Sequence, residues 1–332
     1  MSNKIVDDMV WYIPFKRLRN AVRNYLNMKI EKEQEFINIL YKIYDISIEN
    51  NNIVKNIQSS TSANEFFNDS VKDIYKTQLL QMIENKYNDS KRLEKFGFKV
   101  YSQNDEDGII NEIFNRIGTT NKFFVEFGVQ NGLESNCHYL LFQGWEGVWI
   151  EGDKNYFDMI QKNFKIPIEN DKLTVLNKFI DIDNINDILC STKANKIKDI
   201  DLLSIDIDGN DYHVFKAINV INPRVVVIEY NAKFPPPVKW VMPYNPTHVW
   251  DFSDNQGSSL ESLTYLANEK GYQLVGTNAT GLNAFFVRND LCFDKFPKDA
   301  SASNLYNNKK NSILYQRSGH PSMYFLPNSK DQ

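Results

Sequence analysis

Basic excess, paired cysteines, long apolar runs and the common dinucleotide-binding glycine pattern are all missing from this 332-residue chain. Its 38 Lys and Arg are outnumbered by 42 Asp and Glu, for a net charge of -4. That balance excludes a general nucleic-acid binder, which needs a basic field. Three cysteines, Cys137, Cys190 and Cys292, are odd in number and far apart, with no C-x-x-C. This argues against a disulfide framework and for reduced thiols in a cytoplasmic protein. No stretch approaches the roughly 20 apolar residues that span a bilayer, and the N-terminus lacks a signal-peptide apolar region. The spacing G-x-G-x-x-G occurs nowhere, which weakens a nicotinamide-dependent reading.

What is present is enough apolar residue, 42%, for a sizeable core. Residues 1–96 read as a polar helical extension. Phe36, Ile37, Leu40, Ile43 and Tyr44 recur at helical spacing. The expected role is an arm for self-association, giving a homodimer. Trp11–Leu26 mixes aromatics with Lys16, Arg17, Arg19 and Arg23; it reads as an amphipathic helix packing on its own protein, with contact to an anionic membrane surface as the alternative.

The texture changes near Lys99. Ser102 ahead of Asp105 reads as a capping box, Ile109, Ile110, Ile113, Phe114 and Ile117 share a helical face, and Gly118 stops the helix. Five apolar runs follow: KFFVEFG, GVWIEGD, KLTVLNKFI, DLLSIDID and RVVVIEYN. Helical patterns separate most of them. This predicts an α/β fold with a mainly parallel, doubly wound sheet. GYQLVGTNA and NAFFVRND read as an antiparallel pair at its edge. The domain is expected over 97–295, with an irregular tail over 296–332.

In such a sheet, ligands bind beyond the carboxyl ends of the strands. Every polar residue of interest falls at such an end. The first run leads into VEFGVQNGLESN, Val125 to Asn136, where Gly128 and Gly132 allow a tight turn and close approach to a ligand. Glu126 ahead of them disfavours a phosphate and suits an ammonium or sulfonium. Glu151 follows 25 residues later, at the second strand end, where a carboxylate accepts both ribose hydroxyls. Together they predict a nucleoside with a cationic tail, S-adenosylmethionine. At the third end, Phe179 and Ile180 could flank adenine and Asp181 could accept its amine.

The fourth end is IDIDGND. Asp206 and Asp208 would project to one side of a strand, with Asn210 capping a helix that starts near Asp211. An EF-hand is excluded, because the twelfth position from Asp206 is Ala217 rather than Glu. Glu229 and Asn231 stand at the tip of the fifth run. Asp206, Glu229 and Asn231 form an oxygen donor set that suits Mg²⁺ or Mn²⁺. Asp208 is the candidate base, with His213 and His248 as alternatives.

VEFGVQNGLESN, GWEGVWIEGD, LLSIDIDGNDY, VVVIEYNAKF and the run from Gln256 to Leu291 together resemble the FkbM-like, S-adenosylmethionine-dependent methyltransferases. The resemblance covers roughly Tyr101 to Leu291. It implies a Rossmann-like class I methyltransferase fold with cofactor contacts at Glu126, Gly128, Gly132 and Glu151, to which Asn136, Asp181 and Asp206 are added as candidates. It also implies an acidic metal site like that of related O-methyltransferases, here Asp206, Glu229 and Asn231. Bacterial members often build surface polysaccharide, so the implied acceptor is a sugar hydroxyl, on a nucleotide-activated sugar such as a GDP-heptose. A non-catalytic sugar-nucleotide-binding module and an NAD-dependent sugar-modifying enzyme are the competing readings.

Overall fold

Five apolar runs become five parallel strands. In the computed structural model they are β1 (Phe123–Phe127), β2 (Glu146–Glu151), β3 (Leu173–Asn177), β4 (Leu202–Ile205) and β5 (Val225–Glu229). The structure describes residues 88–251 and 253–307, with Lys16, Asn20, Val22, Arg23, Asn24 and Asn27, which are helical. The expected helical arm and the tail beyond 307 lie otherwise outside the described residues. The chain divides into two compact units, Met1–Thr77 and Gln78–Gln332, and the five strands belong to the second.

Two further strands, β6 (Tyr272–Thr277) and β7 (Asn283–Arg288), complete a seven-stranded sheet of order β3-β2-β1-β4-β5-β7-β6. Strand β7 runs antiparallel between β5 and β6, so the expected antiparallel edge is present. Ten α-helices among the described residues connect and flank the strands. They are α1 (Glu106–Ile117), α2 (His138–Phe142), α3 (Lys154–Asn163), α4 (Lys165–Glu169), α5 (Ile185–Cys190), α6 (Lys193–Ile197), α7 (Asp211–Ala217), α8 (Leu260–Glu269), α9 (Asn289–Cys292) and α10 (Ala302–Leu305). This is the mainly parallel, doubly wound sheet with an antiparallel edge that the sequence predicts.

Both faces of the sheet are buried, which is why the strands read as continuous apolar runs rather than alternating ones. Val125, Phe127, Leu203, Ile205, Val226 and Ile228 pack on one face with Ile185, Val214, Leu263 and Leu305. Phe124, Trp149, Leu202, Val225, Val227 and Phe285 pack on the other with Ile109, Ile113, Leu140 and Ile160. Each such side chain contributes about 1.5–3 kcal/mol on burial.

The core extends beyond the expected domain limits. Leu93 and Phe296 belong to it, and Leu305 is fully buried. The start of the expected irregular tail forms α10, and Asn307 Nδ2 donates to Glu94 and to Thr277. The expected capping box also differs. Helix α1 starts at Glu106, and Ser102 Oγ accepts from the N–H of Asp107, not Asp105. Asp107 Oδ2 in turn accepts from the N–H groups of Val100, Tyr101 and Ser102. One carboxylate oxygen therefore shapes the whole turn ahead of α1. Gly118 ends the helix as expected, with φ 71° and its N–H on Phe114.

Candidate active site

The parallel strands end side by side, and the loops leaving β1 and β4 touch. Gly128 has φ 71°, and a Cβ there would lie 1.6 Å from the Asp206 carbonyl oxygen. Only glycine permits that approach. Between these loops lies a cleft of about 400 Å³ lined by Glu126, Gly128, Asn136, Asp206, Gln103 and Asn283, with residues 129–131 and 133–135 around it. The structure therefore brings together four of the residues singled out from the sequence: Glu126, Gly128, Asn136 and Asp206.

Glu126 is 4% exposed, and both its oxygens are engaged. Oε1 accepts from the Asn136 N–H at 2.8 Å and from Ser204 Oγ at 3.4 Å. Oε2 accepts from the Cys137 N–H at 3.2 Å and from Trp149 Nε1 at 2.9 Å. Burial pushes its pKa up to about 7 against these hydrogen bonds. Glu126 thus pins the loop that follows β1. Gly132 does not face the cleft. Its φ is 78°, and a Cβ would strike the rings of Trp149 and Phe164. It is needed to seat the loop on those aromatics.

Glu151 works in the same way. Its Oε2 accepts from the Gln130 N–H and its Oε1 from the Asp153 N–H, each at 2.8 Å. Burial raises its pKa. Asp181 Oδ1 accepts from the N–H groups of Asp183 and Asn184, so it shapes the turn into α5. Ile180 is buried in the core, whereas Phe179 is exposed beside Gly152. Of the two expected adenine neighbours, only Phe179 presents a free face.

The three aspartates of IDIDGND divide into two roles. Strand β4 stops at Ile205, so Asp206 and Asp208 stand in a turn rather than alternating along a strand, and Asp208 takes φ 56°. Asp211 builds that turn. Its Oδ1 accepts from the Ile207 N–H at 2.8 Å and its Oδ2 from the Gly209 N–H at 2.9 Å. Burial pushes its pKa up to about 6. Asp206 and Asp208 instead converge with Glu229, each offering an oxygen within 4.8 Å of the others. Burial raises the Asp206 pKa well above the carboxylate range, and the charges of Glu229, Asp211, Asp208 and Glu126 add to the rise. Burial raises Asp208 as well, against the nearby charge of His248.

The expected donor set changes accordingly. Asn231 Nδ2 donates to the carbonyls of Asp254 and Gln256, and its Oδ1 accepts from the Lys233 N–H. Its amide holds a loop, and Asp208 stands in the trio instead. His213 is also committed elsewhere, with Nε2 2.7 Å from the Met242 carbonyl and the ring edge-on to Tyr244. Burial lowers its pKa. His248 lies closer to the chemistry. Its ring covers Gly209, and Nε2 is 3.1 Å from the Asp208 carbonyl. His138 packs as a helix residue, stacked on Tyr101 at 3.9 Å.

Two features were not anticipated. The first is the irregular segment from Tyr230 to Ser259, which joins β5 to α8 and closes on the aspartate turn. The Gly257 N–H donates to the Gly209 carbonyl, and Asn210 Nδ2 donates to the Asn245 carbonyl. Connections of such length inside a domain usually carry function, and its length alone was the available signal. The second is the pair Gln103 and Asn283, which line the cleft from the turn before α1 and from the start of β7. The acidic run Asp105–Asp107 marks the first, and the Asn-rich turn before the last apolar run marks the second.

The methyltransferase FkbM domain family model matches residues 182–274. Asp206, Asp208, His213, Glu229 and Asn231 fall inside that match, and the β1 and β2 loops fall outside it. The chain is similar to the S-adenosylmethionine-dependent methyltransferases of that family over those residues. Among solved structures, the glycopeptide N-methyltransferase MtfA complexed with sinefungin is 12% identical, with 55% of this chain and 86% of that one covered at a TM-score of 0.35. The N-terminal domain of EvdMO1 with SAH bound is 10% identical over 62% of this chain and 94% of that one, at 0.33. The METTL16 methyltransferase domain is 12% identical over 54% of this chain, at 0.35, and the match spans 64% of that chain. Comparison with curated proteins finds no match. Among the described residues, no helix is long and apolar enough to cross a membrane.

Proposed function

We propose that this chain is an S-adenosylmethionine-dependent O-methyltransferase acting on a sugar hydroxyl. The observation that carries the reading is the continuity of two features. The cleft between the β1 and β4 loops shares Asp206 with the Asp206–Asp208–Glu229 trio. A nucleoside cofactor in the cleft would place its sulfonium methyl beside a group of oxygen donors suited to a hydroxyl acceptor. The sugar, carried on a nucleotide and destined for surface polysaccharide, is supported by the FkbM resemblance alone.

In the reaction, the acceptor oxygen attacks the methyl carbon in line with the C–S bond. The C–O bond forms, the C–S bond breaks, and the electron pair stays on sulfur. The hydroxyl proton passes to a carboxylate, for which Asp208 is the candidate. The raised pKa of Asp208 makes it a better acceptor of that proton. Since the methyl donor is already activated, the chain mainly aligns the two reactants.

Three carboxylates offering oxygens within 4.8 Å of one another fit a hard divalent cation. Asp206 and Glu229 would hold it, with Asp208 beside them left as the proton acceptor. Bound there, Mg²⁺ or Mn²⁺ would lower the pKa of an acceptor hydroxyl.

Calorimetric titration of the metal-stripped protein with S-adenosylhomocysteine and with NAD, each repeated with Mg²⁺ or Mn²⁺, tests the reading. Binding of S-adenosylhomocysteine but not NAD is expected, followed by methyl transfer to a sugar nucleotide in a screen of acceptors. Absence of S-adenosylhomocysteine binding in both conditions would overturn the cofactor assignment.

A further inference from the structure

Glu126 stands where an acidic residue is expected to meet the cofactor's ammonium group. Its acceptor capacity is already used. A carboxylate offers about four lone-pair sites, and Asn136, Cys137, Trp149 and Ser204 donate to it. An ammonium group in the cleft needs another acceptor.

Asn283 supplies one. It lines the cleft, is 5% exposed, and its Oδ1 has no hydrogen-bond partner. An unmet buried carbonyl is costly, and such a group calls for a ligand. The amide orientation is fixed by its neighbours. Asn283 Nδ2 donates to Glu106 Oε1 at 3.0 Å, and Asn278 Nδ2 donates to the same oxygen at 2.7 Å. Asn278 cannot turn, because its Oδ1 accepts from the N–H groups of Leu282 and Asn283. Turning Asn283 over would set its carbonyl oxygen against Glu106 Oε1, acceptor to acceptor. The backbone is held as well, since Asn283 stands opposite Glu229 in the β5–β7 ladder. Glu106 therefore locks the Asn283 amide with its oxygen unpaired, in a residue that forms part of the cleft wall. The surrounding wall, with Glu126, Glu134 and Asp206, favours a cation over an anion.

We propose that Asn283 binds the α-ammonium group of the cofactor's amino-acid end, with Glu106 as its positioning residue. This rests on the methyltransferase reading above. The test is a thermodynamic cycle. Affinities for S-adenosylhomocysteine and for its desamino analogue, which keeps the carboxylate and loses the nitrogen, are measured in the wild type, Asn283→Ala and Asn283→Asp. The wild type is expected to prefer S-adenosylhomocysteine by about 10- to 100-fold, the range for a hydrogen bond to a charged group. Asn283→Ala should reduce that preference to near unity, while Asn283→Asp, which keeps an acceptor, should retain it. An unchanged preference in Asn283→Ala, or equal weakening of both compounds, would overturn the assignment to the ammonium group. A wild type that binds neither compound would instead bring down the methyltransferase reading itself.

Discussion

Strand β4 carries an aspartate beyond each end, and the two could hardly differ more. Asp201, at the amino end, is fully buried yet its pKa lies below the usual value. Burial opposes ionisation there, but Arg224 Nη1 at 2.6 Å and the N–H groups of Thr120, Asn121 and Lys122 outweigh it. Asp206, five residues on, is surrounded by carboxylates and its pKa is pushed far up. One end of the sheet is a staple in which every charge is matched. The other is an assembly of like charges that the fold tolerates. Binding sites are usually built from such unmatched groups, whereas matched ones secure the scaffold beneath them.

The sharpest break in that comparison is Asp201→Ala. It leaves Arg224 buried and frees four donors at once. Removing one partner of a buried ion pair costs about 3–5 kcal/mol, read as a drop in the urea midpoint at pH 7. The sign with pH is fixed. A depressed carboxylate adds stability above its unfolded pKa and loses it as pH falls through the folded value. The gap between variant and wild type should therefore narrow as pH falls through the depressed folded pKa of Asp201. A constant gap across pH would mean the effect is packing, not charge.

At the opposite end the pH dependence reverses. Glu126 titrates near 7 and Asp211 near 6 in the folded chain. Between the unfolded carboxylate pKa and those values, the folded protein binds more protons than the unfolded one. Stability of the ligand-free protein should then fall as pH rises from about 4.5 to 7. The shift of Glu126 alone corresponds to something on the order of 3 kcal/mol. Urea midpoints at pH 5 and pH 7.5 measure it, and a rising midpoint would remove the contrast between the two ends.

Smaller in stability, and opposite in sign to Asp201→Ala, is Asp206→Asn. It removes a carboxylate whose ionisation the crowded group opposes, so the ligand-free protein should lose no stability at pH 7.5 and gain up to about 1 kcal/mol. Methyl transfer should fall at least about 100-fold, the scale expected on losing an electrostatic group at the reacting centre. A destabilised variant that keeps full turnover would make Asp206 a second staple.

Much of this contrast was legible in the residues. Period and composition placed all seven strands, because strands buried on both faces carry an unmistakable apolar run. The strand ends then marked Glu126, Asp206, Asp208 and Glu229. What stayed hidden were the partners. Nothing in EYNAK tells that the Asn231 amide is spent on the Asp254 and Gln256 carbonyls. Likewise, Glu126 and Glu151 each accept two backbone N–H groups, which look the same in every sequence. Asn283 lay 54 residues past Glu229 in the chain yet faces it across the sheet.

His213 gives the finest test of that lesson, because its sequence position suits catalysis and its hydrogen bond does not. His213→Phe keeps a ring against Tyr212 and Tyr244 and removes only the nitrogen facing the Met242 carbonyl. Met242 is buried, so the lost bond should cost about 1 kcal/mol. Turnover should stay within roughly threefold, since the proposed reaction takes its proton acceptor from the acid cluster and not from this ring. A stable His213→Phe variant that loses turnover by about 100-fold or more would move the base from Asp208 to α7. The two measurements together, one midpoint and one rate, separate a residue that holds the post-β5 segment in place from one that moves a proton.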